Sequence, residues 1–248
     1  MWYESDMICE VWWARPDAAR PWHRELFTAD ELGRADAYRR PEDRDRFTVG
    51  CATSRLVLGR LLGLAPADVP LRRDCESCGR PHGRPRLPGG GLHLSVSHSG
   101  DWVAVAVTDL GPVGVDVERH APRAAELADT VLAPAEAAVL ARLPEAERGT
   151  ALIEYWARKE AVLKATGDGL RAPLSGVVVT APGEPPALLS YEGRPGLVMA
   201  LRELSPRPGY AAVLAVAGLA DPPQVAEHDA TGLLAVPEYP AARRGSGT

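Results

Sequence analysis

The chain is short of lysine. Its 248 residues carry 28 lysines and arginines, of which only Lys159 and Lys164 are lysine. Positive charge is otherwise left to arginine, so a position that keeps lysine calls for a chemical reason. Four cysteines, behind an N-terminus (MWYESDMICEVWWARP) without the pattern of a secretory signal, do not make a disulfide framework in a chain of this size. No apolar run approaches the ~20 residues of a membrane span, so the cytoplasm is the expected compartment. The net charge of -5 lacks the basic balance of a general nucleic-acid binder. A chain that is 46% hydrophobic and 25% charged fits a globular protein, with length for one large domain or two small ones.

The patterns alternate between helix and strand. ICEVWWARP predicts a short strand. Thr28 with Glu31 three residues later predicts a capped helix start, and PEDRDRFTVGCATSRLVLGRLLG predicts a helix with Pro41 at its start and Gly63 past its end. LHLSVSHSGDWVAVAVTDLGPVGVDVER predicts three strands as an antiparallel meander. Residues 134–142 and 145–166 look helical, and four strand-like runs follow from SGVVVTAP to YAAVLAVAGL. The expected fold is α+β, with two similar halves at 1–115 and 116–220. Residues 221–248 form a tail without clear periodicity, expected to be loosely ordered.

On a helical projection of WARKEAVLKATGDGL and the residues before it, Leu152, Ile153, Tyr155, Trp156, Val162 and Leu163 share one broad apolar arc. Lys159, Glu160 and Lys164 fall on or beside that arc, while Glu154 and Arg158 point away. Charges on an apolar face are costly to desolvate unless something meets them. An exposed Glu-to-Lys pair four residues apart is the plainer reading, worth only ~0.2–0.5 kcal/mol.

In GVDVE, Asp116 and Glu118 leave one face of a strand while Val115 and Val117 leave the other. Two parallel carboxylates repel unless a cation neutralises them, and oxygen-only ligation suits Mg2+; a solvent-facing acidic pair is the alternative. In SVSHSGDW, His98 stands at a strand end between two serines, where a phosphate would find hydroxyl, imidazole and backbone donors. Arginines crowd residues 34–60, as a phosphate-bearing ligand or a salt-bridged helix face would require. CESCGRPH places Cys75, Cys78 and His82 as half a zinc site, without a second pair to complete it, and reduced cysteines in a loop are the plainer reading.

The order of these segments resembles the 4'-phosphopantetheinyl transferase superfamily, in its larger monomeric class. The residues that carry the resemblance are SVSHSGDWVAVAV, GVDVE and WARKEAVLKATGDGL, with GRPRLP and YRRPEDRDRF upstream. It spans roughly residues 28–175. The resemblance implies a pseudodimer of two α+β halves with coenzyme A in the cleft between them. It implies transfer of the phosphopantetheine arm to a serine of an acyl or peptidyl carrier protein, with 3',5'-ADP as the other product. The partners would be carrier domains of fatty-acid, polyketide or nonribosomal peptide synthases, and the enzyme a cytoplasmic monomer needing Mg2+, with Mn2+ as a substitute.

Residue by residue, the resemblance makes Asp116, Glu118 and Glu160 the metal carboxylates. Glu160 would also take the proton of the attacking serine, directly or through a bound water, and Lys164 would stabilise or protonate the departing phosphate. Ser97 and His98 would meet the 3'-phosphate of coenzyme A. Arg84 would serve from the substrate loop, Arg34 and Arg46, or Arg39 and Arg40, from the first half, and Lys159 as a further phosphate contact. Two other classes compete: a metal-dependent nuclease, although Glu160 and Lys164 lie four apart on a helix, and a non-catalytic carrier-protein or zinc-binding module.

Overall fold

The computed structural model describes residues 7–74, 79, 83–121, 126–205 and 208–236. Cys75, Cys78 and His82 lie outside them. Nine strands and six α-helices are described: β1 (Cys9–Ala14), α1 (Ala29–Ala37), α2 (Pro41–Leu62), β2 (His93–Ser99), β3 (Trp102–Thr108), β4 (Val113–Arg119), α3 (Ala128–Val131), α4 (Pro134–Leu140), α5 (Glu145–Thr166), β5 (Val177–Val179), β6 (Leu188–Tyr191), β7 (Met199–Glu203), β8 (Tyr210–Ala217), β9 (Ala226–Asp229) and α6 (Thr231–Ala235). The fold is α+β. Local signals account for the helix ends. Thr28 and Glu31 form the capping box of α1, and α2 opens on Pro41 and stops at Gly63, whose φ of 66° is the left-handed conformation glycine adopts freely.

Two sheets stack between two long helices. The first sheet runs β2-β3-β1-β9 and the second β4-β8-β7, with β5-β6 as a small ribbon. Alternation sorts the faces. In the first sheet Trp12, Ala14, Val103, Val105 and Val107 pack with Val49, Leu56 and Val57 of α2. The opposite faces meet each other, with Val11, Trp13, Ala104 and Ala106 against Val115, Val117, Leu214 and Val216. The outer face of the second sheet, including Val213 and Ala215, packs with Leu152, Ala161 and Val162 of α5. Burial of each of these valines and leucines is worth about 1.5–3 kcal/mol. The layer order is therefore helix, sheet, sheet, helix.

Three sequence expectations are corrected. The meander ends after two strands: β2 and β3 form a hairpin, but β4 leaves that sheet and pairs antiparallel with β8, Asp116 facing Val213. Arg158 is buried rather than turned outward, its guanidinium donating to Thr180 O and Oγ1, Ala181 O and Glu184 O. The described part of the tail, residues 221–236, packs on the body of the fold. There β9 pairs parallel with β1, and buried Leu234 accepts a hydrogen bond from His23 Nε2 at 3.1 Å.

Candidate active site

The chemistry-bearing residues meet where the edge strands of the two sheets lie side by side. Ser95, Ser97 and Ser99 leave one face of β2, and their hydroxyl oxygens accept the backbone N–H groups of Val115, Val117 and Arg119 at 3.0, 3.3 and 3.1 Å. The constant offset of twenty residues makes β2 and β4 parallel. Serine side chains take the place of the backbone hydrogen bonds that would join the sheets.

Helix α5 lies directly on β4. A Cβ at Gly114 would stand 1.9 Å from Ala161 O and 2.6 Å from Ala165 N, so only glycine allows this approach. The contact carries Glu160 and Lys164, one turn apart, over the carboxylates of β4. Lys164 Nζ donates to Asp116 Oδ1 at 2.6 Å, Ser97 Oγ at 2.8 Å and Val115 O at 3.2 Å. Ser97 in turn donates to Asp116 Oδ1 at 2.8 Å, and Ser99 to Glu118 Oε2 at 2.8 Å.

Asp116 and Glu160 are buried, and Asp116 Oδ2 and Glu160 Oε1 have no hydrogen-bond partner. Burial, then the charge of Asp116, pushes Glu118 up to about 7. The same two causes raise Glu160, while Lys164 pulls it down. Among the described residues no three His, Cys, Asp or Glu side chains converge as a ready-made metal cluster. The open carboxylate oxygens nevertheless fit Mg2+, which takes one or two protein carboxylates and fills its shell with water and phosphate oxygens.

Two hollows adjoin this cluster. One of about 240 Å3 is lined by Asp116, Glu118, Glu160, Trp156 and His98. The other, about 610 Å3, is lined by Arg34, Arg73, Arg84, Arg86 and Arg171. Lys164 and Val96 line both, so a ligand's phosphates in the basic hollow would reach the carboxylates past Lys164. Arg84 spans the cleft, donating to Ala165 O at 3.0 Å. Its guanidinium lies against Gly167, whose φ of 79° is a left-handed conformation that favours glycine and where a Cβ would stand 3.1 Å from Arg84 Cζ.

Arg39, Arg40 and Arg46 line a separate shallow recess at the start of α2. Arg46 is held there by Gly100 O at 2.7 Å and Asp43 Oδ1 at 2.7 Å. His98 is exposed on the α2 side of β2. Desolvation by the cleft walls, then the Lys164 and Arg46 charges, holds its imidazole below the ordinary value. Ser97 is different. Its hydroxyl is buried and bonded to Asp116, Lys164 and Val117 at the seam, and the residue lines the wall of the acidic hollow.

The expected phosphate contact of Lys159 is corrected. Its side chain is fully buried and its ammonium donates to Glu136 Oε2 at 2.5 Å, Val131 O at 2.9 Å and Leu174 O at 3.1 Å. Three acceptors around three protons are met by a compact ammonium and not by a planar guanidinium. Burial lowers the Lys159 pKa, and Glu136 opposes that shift. Arg73, Arg86 and Arg171 were missed by sequence reasoning. The first two flank Arg84 in the arginine-rich loop and the third follows the GDG turn, which is the signal that marks them.

Comparison with known proteins decides what this cleft belongs to. The model of the 4'-phosphopantetheinyl transferase superfamily matches residues 112–214, which hold β4, α5 and the first part of β8. The chain is 35% identical over 193 residues to the 4'-phosphopantetheinyl transferase HetI of Nostoc sp. (strain PCC 7120 / SAG 25.82 / UTEX 2576), covering 77% of this chain and 78% of HetI. The chain belongs to the 4'-phosphopantetheinyl transferase superfamily. It is also 32% identical over 133 residues to the 4'-phosphopantetheinyl transferase Sfp of Bacillus subtilis (strain 168), covering 54% and 57% of the two chains. With AcpT of Escherichia coli (strain K12), another 4'-phosphopantetheinyl transferase, it shares 35% identity over 91 residues, 36% and 45% of the two chains. The resemblance drawn from the motifs is borne out and so is the enzyme class, a phosphopantetheinyl transferase. The nuclease and the non-catalytic module are set aside.

Proposed function

We propose that the cleft moves the 4'-phosphopantetheine arm of coenzyme A onto a serine of an acyl or peptidyl carrier protein, releasing 3',5'-ADP. The carrying observation is the cluster of Lys164 with Asp116, beside two unpartnered carboxylate oxygens, at the junction of a basic and an acidic hollow. The basic hollow takes the nucleotide and its phosphates, met by Arg34 and Arg84, with Arg73, Arg86 and Arg171 beside them. Arg46, Arg39 and Arg40 offer positive charge at the other end, and His98 offers its imidazole as a hydrogen-bonding group. The sheet-and-helix layers of α2 and α5, helices of 22 residues each, support a pseudodimeric reading of the fold, with Ser97 and the other seam residues at the pseudodimer boundary.

Asp116, Glu118 and Glu160 would hold Mg2+, or Mn2+ in its place. Bound there, the ion would neutralise the three carboxylates and offset charge on the pyrophosphate. The carrier serine oxygen bonds to the phosphorus that bears pantetheine, and the bond from that phosphorus to the bridging oxygen breaks. Glu160, raised by burial, accepts the serine proton. Lys164 turns from Asp116 to the departing 3',5'-ADP and supplies positive charge and a proton. An arginine would keep the charge but hold its proton, because its pKa exceeds ~12.

Among the described residues no helix is long and apolar enough to cross a membrane. The proposed enzyme is a cytoplasmic monomer that serves fatty-acid, polyketide or peptide synthases. The test follows 3',5'-ADP by chromatography, with coenzyme A and Mg2+ present. Release that requires an apo carrier protein is expected. Release without a carrier would make the activity hydrolysis and overturn transfer.

A further inference from the structure

The seam between the sheets does more than join them. Its three serines share one geometry toward β4, but only two of them continue to a carboxylate. Ser95 accepts Val115 N–H, and Asp116 and Glu118 are not among its partners. Ser97 accepts Val117 N–H and donates its one proton to Asp116 Oδ1. Ser99 accepts Arg119 N–H and donates its proton to Glu118 Oε2. A serine hydroxyl has one proton and two lone pairs. With its proton on the carboxylate and the N–H of the following residue on its oxygen, each serine fixes both the strand and the side chain it carries. The consequence shows at Asp116: Oδ1 is held by Ser97 and Lys164, and Oδ2 is the oxygen left open.

We infer that Ser97 and Ser99 are positioning residues for the metal carboxylates, each holding one oxygen of Asp116 or Glu118 so that the other is presented to the cation. This rests on the reading of Asp116 and Glu118 as metal ligands. It gives the SVSHS motif a division of labour that follows strand alternation. His98 faces the α2 side of the cleft, while Ser97 and Ser99 face the metal strand. It also ties the first sheet to the metal site, because β2 sets the carboxylates through side chains alone.

Ser99 is half-buried at the strand end and suits substitution better than buried Ser97. Mn2+ is the probe, titrated into the full chain with saturating coenzyme A and followed by the loss of the free-ion electron paramagnetic resonance signal. Ser99→Ala is expected to weaken Mn2+ binding about 10–100-fold, the usual cost of losing an outer-shell partner. Ser99→Thr, which keeps the hydroxyl, restores it. Ser95→Ala removes an equivalent stitch without a carboxylate and leaves Mn2+ affinity at the wild-type value.

Unchanged affinity in Ser99→Ala, with wild type binding normally, overturns the inference alone. So does an equal loss in Ser95→Ala, which would make the seam a purely structural device. A wild-type protein that binds no Mn2+ overturns both this inference and the metal reading beneath it.

Discussion

Lys159 and Lys164, five residues apart on α5, leave the helix about 140° apart and meet opposite chemistry. Lys159 is sealed in the core against Glu136 and two carbonyls, while Lys164 reaches the cleft and holds Asp116. The chain keeps lysine at one site for the shape of its ammonium and, on our reading, at the other for a proton it can release.

Lys159→Met should therefore unfold the protein more easily without touching the cleft. Removing one member of a buried pair costs about 3–5 kcal/mol, because Glu136 is left buried and unpaired. Urea denaturation is expected to show that loss, with coenzyme A affinity of the folded protein unchanged. Weakened coenzyme A binding at unchanged stability would return Lys159 to the cleft.

Lys164→Arg is expected to lower kcat about 10²–10⁴-fold, the range for a lost general acid, with little change in KM for coenzyme A. Steady-state kinetics decides it. Near-wild-type kcat would remove the acid role.

Gly114→Ala should push α5 off β4. The added methyl would enter space held by Ala161 O and Ala165 N. Overpacking costs about 1–3 kcal/mol, and here it also shifts Glu160 and Lys164 relative to Asp116. A lower Tm together with reduced transfer is expected; wild-type Tm would contradict the contact.

Stability should depend on pH and Mg2+ together. Glu118, held at about 7, and Glu160, also raised, favour the fold while protonated and lose that contribution as pH rises from the ordinary carboxylate range through their folded values. A cation offsets the loss only when the carboxylates are ionised. The rise in Tm on adding Mg2+ should be larger at about pH 8 than at about pH 5.5. Equal rises at both would count against these carboxylates as the binding site.

Much of this was legible in the chain, and the reasons for the rest are physical. Helix ends were legible because caps are local: Thr28 with Glu31, Pro41 and Gly63 each act within one turn. The strand GVDVE and its two faces were legible from alternation. Its partner was not, since β8 lies about a hundred residues on and alternation names no partner. Arg158 and Lys159 were misjudged for a related cause. The segment around residues 180–184 packs on α5 from afar and turns the apparent solvent face of Arg158 into core, while residues 131–136 give Lys159 protein acceptors in place of the expected phosphate. Ser99 shared the spacing of Ser97, but only the seam shows what the spacing is for.

Transfer to a carrier protein can be read directly from the carrier's mass. An apo peptidyl carrier protein incubated with the chain, coenzyme A and Mg2+ should gain the mass of one phosphopantetheine by intact-protein mass spectrometry, and lose that gain with EDTA or with Asp116→Ala. A carrier whose mass is unchanged under full conditions would contradict transfer.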